Sequence, residues 1–111
     1  MTRRLLVLLL LLDGCGTDAG GLAAVPPRDE PVSAELQASC ELAQRRCARC
    51  HTTGRITQTR VAQPRDWQRY VHRMRLMPGS AIPPTDEAPI TRCLVFRAFG
   101  TKGLAELGDL P

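Results

Sequence analysis

Two phenylalanines, one tryptophan and one tyrosine are all the aromatic residues in this 111-residue chain, and that scarcity narrows what it can do. A nucleic-acid surface interleaves cations with stacking rings, so the arginine-rich middle of the sequence has only half of that device. Strand-like alternation of apolar and polar residues is missing, which argues against a β architecture. No apolar run approaches the roughly 20 residues that span a bilayer as a helix. No residue set for hydrolysis, group transfer or phosphate binding is found, so the chain does not read as a stand-alone enzyme. Internal repeats are absent, and the length holds one small domain at most. Lysine is almost missing: Lys102 is the only one, and the positive charge is carried by arginine.

What is present begins with a basic start, Met1-Thr2-Arg3-Arg4, followed by Leu5-Leu6-Val7 and leucines to Leu12. Residues 1–14 read as an export signal. Leu12-Asp13-Gly14-Cys15 resembles the lipobox of bacterial lipoproteins, which implies a lipidated Cys15 and a membrane anchor on the periplasmic side of the cell envelope. Asp13 departs from the small or apolar residue usual there; an ordinary cleavable signal releasing a soluble protein is the alternative. Residues 15–32 are rich in Gly, Ala, Pro and Asp and read as a flexible tether, about 20–25 Å in mean span by random-coil scaling.

Five cysteines suit an oxidising compartment better than a reducing cytosol. Two of them stand in Cys47-Ala48-Arg49-Cys50-His51, the spacing of a c-type haem attachment site. Each position has a chemical task. The thiols of Cys47 and Cys50 add across the two vinyl groups of one haem, and the adjacent His51 is held beneath the iron as an axial ligand. Two other readings use the same residues. A thioredoxin-like redox pair expects a surrounding βαβ pattern. A zinc site expects four tetrahedral ligands, usually as two spaced pairs, and only one pair is found here.

Three helices follow from capping and periodicity. Ser33, with Glu35 in the first turn, predicts a helix running through the haem motif with Leu36, Cys40, Ala43 and Cys47 on one stripe. The stretch from Thr52 to Pro64 reads as loop. A second helix starts near Arg65, placing Trp67, Val71 and Met74 on one face with Tyr70 and Met77 beside them, and His72 roughly opposite. Met74 is therefore the expected distal iron ligand, with Met77 the competitor just before Pro78-Gly79. A third helix is expected from a Thr85 cap to Gly100, with Ile90, Cys93, Leu94 and Ala98 inward. The domain is thus 33–100, and 101–111 reads as a tail.

Over residues 34 to 98 the pattern resembles a small monohaem class I c-type cytochrome: a helix entering Cys-x-x-Cys-His, then Trp67-x-x-x-Val71-x-x-Met74, then an acidic-started helix ending Ile90-x-x-Cys93-Leu94. The resemblance implies an all-α fold wrapped around one covalently attached haem c, and His51 with a methionine as iron ligands. It implies electron transfer between redox partner proteins by Fe(II)/Fe(III) cycling, either as a free carrier or as the cytochrome subunit of a larger oxidoreductase. A haem-based sensor with an open sixth site is the competing function. Pro64, Trp67, Val71 and Leu94 are expected to pack the haem pocket, with the Pro64 carbonyl as acceptor for His51. Members commonly carry an aromatic where this chain has Cys93. In that fold the helices bearing Cys40 and Cys93 cross, so the two are expected either to form a disulfide or to pack as free thiols. Between Arg45 and Arg75 nine arginines face one acid, Asp66, a charge that would steer an acidic docking face toward the haem site.

Overall fold

The computed structural model describes residues 30–111. The expected export segment, the lipidation site Cys15 and most of the expected tether lie outside the described residues. Four helices follow one another: α1 (Ala34–Cys47), α2 (Thr53–Thr57), α3 (Pro64–Leu76) and α4 (Pro84–Leu107), with no strand among the described residues. The fold class is all-α. No described helix is long and apolar enough to cross a membrane.

Helix α1 begins where its cap residue dictates: the Ser33 hydroxyl accepts from the Leu36 N–H at 3.1 Å, and Glu35 sits at the positive end of the helix dipole. It stops at Cys47, earlier than expected, so the remaining motif residues form a turn in which the Cys50 and His51 N–H groups both donate to the Cys47 carbonyl. The connection read as loop contains the single-turn helix α2. Helix α3 starts at Pro64, whose fixed φ and missing N–H suit a first helical position. The Asp66 carboxylate accepts from the Gln63 N–H at 2.9 Å and from the Ala62 N–H at 3.1 Å, tying the incoming chain to the first turn.

The last helix departs most from expectation. It begins at Pro84 with Pro83 as its cap, so Thr85 lies inside the helix and caps nothing. Pro84 supplies the start by its preset φ, and no side-chain cap is needed. The segment read as a tail is helical to Leu107, with a break at Gly100 (φ 71°, ψ −162°) and with Gly103 and Leu107 buried. The inward face is also broader than one stripe. Ile90, Thr91 and Cys93 to Phe96 are all buried, whereas Ala98, expected inside, is exposed. A helix packed on two sides is apolar nearly all round and has no single stripe to read.

Helices α1 and α3 both pack on α4. Three links fix the α1–α4 pairing as antiparallel. Glu30, just before α1, accepts from the Thr101 N–H at 2.9 Å; Cys40 is bonded to Cys93 with Cα atoms 5.0 Å apart; the Arg46 guanidinium meets Asp86 at 2.7 Å. As one chain segment rises the other falls. The disulfide closes a loop of separation 53, which stabilises by about 4 kcal/mol in the chain-entropy account. Glu30 also falls within the expected tether, yet its carboxylate caps the helical stretch that restarts after Gly100.

Two outcomes are expected. Thiol labelling of denatured, unreduced protein modifies neither Cys40 nor Cys93, and labels both only after reduction; labelling of either before reduction would show that the pair is unbonded. Gly100→Ala places a Cβ 2.5 Å from the Glu30 carboxylate, in a φ/ψ region that is essentially glycine's alone, and lowers unfolding free energy by ~1–3 kcal/mol in urea denaturation.

Candidate functional site

Because α1 and α3 both lean on α4, a space remains between them on its surface. It is a cavity of about 450 Å³, within the roughly 300–1,000 Å³ usual for small-molecule and cofactor sites. Each wall comes from a different element. The end of α1 and the turn after it contribute Cys47, Cys50 and His51; α3 contributes Trp67, Val71 and Met74; α4 contributes Ile90 and Leu94. The α2 region adds Ile56 and Thr59, and the α3–α4 connection adds Met77, Pro78, Ser80 and Ile82.

The structure thus gathers most of the residues singled out by the sequence: the motif cysteines, His51, both candidate methionines, Trp67, Val71 and Leu94 share one cavity. Met74 is partly buried, whereas Met77 is 54% exposed at the end of α3. His72 does not line the cavity; its Nδ1 meets the Glu87 carboxylate at 2.8 Å, beside Arg75, which holds the other oxygen of Glu87 at 2.5 Å. Pro64 is buried but does not line the cavity. The Cys40–Cys93 bridge lies in the core, with both residues almost fully buried.

Two features of the walls describe what the cavity accommodates. Burial, with Cys50 close by, pushes the Cys47 thiol up to about 11, so at neutral pH it is protonated and a poor metal ligand. Among the described residues no group of three His, Cys, Asp or Glu side chains is placed to hold a metal ion. An iron already inside a macrocycle needs only axial ligands, for which His51 and a methionine suffice. The second feature is an orphan: Trp67 Nε1 is buried without a hydrogen-bond partner. The nitrogen itself has no surface open to the cavity, so the donor is a cost of packing the ring into the wall. The residues therefore fit a haem c in chemistry: thiols for attachment, a histidine and a thioether for the iron, apolar walls for the ring.

The helix end and the turn after it explain why the motif residues sit apart in exposure. Cys47 belongs to the last turn of α1 and packs against the core, while Cys50, three residues on, has left the helix and is exposed. In haem-free chain, iodoacetamide is accordingly expected to modify Cys50 before Cys47, read by peptide mass spectrometry over time. Equal rates would contradict the burial of Cys47 in the cavity wall.

Compared with protein-family models, with curated proteins and with solved structures, the chain has no match in any of the three.

Proposed function

We propose that this chain is an exported one-electron carrier, a small c-type cytochrome with one haem held by Cys47 and Cys50 and ligated by His51 and Met74. The observation that carries the reading is the meeting of Cys47, Cys50, His51 and Met74 in one cavity with apolar walls. When bound, the haem supplies Fe(II)/Fe(III) cycling; the chain supplies attachment, ligation and exclusion of water. Val71, Ile90 and Leu94 keep the site apolar, which favours the less charged ferrous state, and a thioether ligand acts in the same direction. Trp67 adds the apolar surface of its ring to the same wall. Met74 is preferred over Met77 because its side chain is the less exposed of the two.

In this reading the chain takes one electron from a reduced donor and passes it to an acceptor, with no bond made or broken in a substrate. It acts alone or as the cytochrome subunit of an oxidoreductase. Export and anchoring through Cys15 would place it on the periplasmic side of a membrane, where the Cys40–Cys93 bridge and thioether attachment share one oxidising compartment.

Protein produced in a host with a working cytochrome c maturation system is expected to weigh one haem more than the chain and to retain it through acid-acetone extraction. A mass equal to the bare polypeptide would sink the proposal. Met74→Ala is expected to remove the weak near-infrared charge-transfer band of sulfur-ligated ferric haem, and Met77→Ala to preserve it. Strong carbon monoxide uptake by the ferrous wild-type protein at neutral pH would instead indicate a ligand-binding sensor.

A further inference from the structure

Two methionines line the cavity, and their chemistry does not choose between them, since both offer the same thioether. Met77 follows Met74 by three residues. At helical spacing this sets the two side chains about 60° apart round the axis of α3 and about 4.5 Å apart along it. A rotation of the end of α3 by that angle would exchange one methionine for the other. What faces the iron therefore depends on what fixes that rotation. Apolar packing fixes it only for the first part of the helix, where Trp67 and Val71 are buried. At the other end Arg73, Leu76 and Met77 are exposed, Leu76 by 62%.

Polar contacts hold the end of α3 where burial does not. His72 and Arg75 bracket Met74 in sequence and lie about 160° and 100° from it round the axis; neither lines the cavity. Both reach one carboxylate. His72 Nδ1 is 2.8 Å from Glu87 Oε1, and Arg75 Nε donates to Glu87 Oε2 at 2.5 Å. Glu87 is itself well fixed. It stands in the first turn of α4, where the helix dipole favours a carboxylate, and its carbonyl accepts from the buried Thr91 hydroxyl at 2.8 Å. By contrast, Arg69 pairs with Asp66 and Arg73 lies over the Tyr70 ring. Those contacts stay within α3 and do not restrain its rotation against α4.

Met77 sits just past the clamp. Its backbone is extended (ψ 137°) ahead of Pro78, and the Ser80 hydroxyl ties the connection back to the Arg75 carbonyl at 2.9 Å. We propose that Glu87 is a positioning residue that selects Met74 over Met77 as the iron ligand, by locking the rotation of the last turn of α3. The proposal rests on the haem reading above and adds the residue that decides between two equivalent thioethers. With Glu87 in place, Met77 stays at the helix end and does not take the iron in the absence of Met74. With Glu87 removed, the last turn loses its hold on α4 and Met77 enters. Asp86 is the natural control. It carries the same charge one residue earlier, but grips Arg46 of α1 at 2.7 Å instead of α3.

The test reads the near-infrared charge-transfer band of sulfur-ligated ferric haem in variants whose haem content is checked by mass. Met74→Ala is expected to lack the band, and Met74→Ala/Glu87→Ala to regain it through Met77. Met74→Ala/Asp86→Ala is expected to stay without it, and adding Met77→Ala to the Glu87 variant to remove it again. With both methionines present, Glu87→Ala is expected to raise the affinity of the ferric protein for added imidazole by about fivefold, and Asp86→Ala by less than about twofold, on the scale of one exposed ion pair. A band in Met74→Ala alone would show that Met77 needs no release and would overturn the proposal. Equal recovery in the Asp86 variant would mean general loosening of the site and overturn it too. Should Glu87→Ala fail to take up haem, Glu87→Gln, which keeps the size of the side chain and loses its charge, is read in the same way. Haem-loaded protein with no recovery in either Glu87 variant would refute the selection alone, whereas wild-type protein without haem would refute the haem reading and the selection with it.

Discussion

Everything at the cavity depends on the antiparallel contact between α1 and α4 and on the bond that holds it in register. Cys40 and Cys93 lie near the middle of that contact. Seven residues beyond Cys40 is Cys47, and the antiparallel sense sets the end of α1 beside the start of α4, as the Arg46–Asp86 pair records. A sliding of α1 by one turn, about 5.4 Å, would carry Cys47 out of the wall it now shares with Ile90 and Leu94. A domain of this size buries too little apolar surface to hold such a register by packing alone with much to spare. The disulfide is the staple that a small core needs. It works from inside: Ala43, fully buried one turn beyond Cys40, keeps the helices close enough for the bond.

Helix α4 is the shared partner, and the site is a consequence of that sharing. With α1 and α3 both docked on α4, the space between them is further walled by the turn after α1, by the connection from Met77 to Ile82 and by the α2 region. Ion pairs hold these elements at the same end. Glu87, in the first turn of α4, takes Arg75 and His72 from the end of α3, and Asp86 takes Arg46 from the end of α1. Two neighbouring carboxylates on one helix start thus gather the ends of α1 and α3. Partial exposure keeps each pair worth little by itself; their value is geometric, since they draw the ends of α1 and α3 to the start of α4.

The site was more legible in the sequence than the helix that supports it. Cys47, Cys50 and His51 announce themselves by spacing, and Trp67, Val71 and Met74 by a clean helical period, because α3 has one wet and one dry face. The Ser33 cap was readable for the same reason, a local hydrogen bond made by a local residue. Helix α4 hid its extent. Its apolar residues serve two partners, so Val95 and Phe96, fully buried, belong to no single stripe. Gly100 reads as a stop in the sequence, yet the chain restarts as helix because Glu30, 71 residues away, supplies the acceptor that the Thr101 N–H requires. No local pattern can disclose a cap donated from that distance. Pro84 masked the true start in a similar way, since a proline at the first helical position competes with Thr85 as the visible signal.

Two groups in the cavity wall are not explained by the stability of the polypeptide. An indole N–H buried without an acceptor costs about 1–3 kcal/mol, and phenylalanine in place of Trp67 would avoid that cost while keeping most of the apolar contact. A thiol whose pKa is lifted to about 11 by burial gains nothing as an acid or a metal ligand, and an alanine or valine would pack the same wall. Elsewhere the interior is economical. The Thr91 hydroxyl, buried, donates to the Glu87 carbonyl at 2.8 Å, and the buried cysteines of the core are joined to each other. Among the described residues, these two groups belong to residues of α1 and α3 that line the cavity. A group bound in the cavity and joined covalently to Cys47 would account for a thiol placed there, and the vinyl groups of a haem would take such a bond.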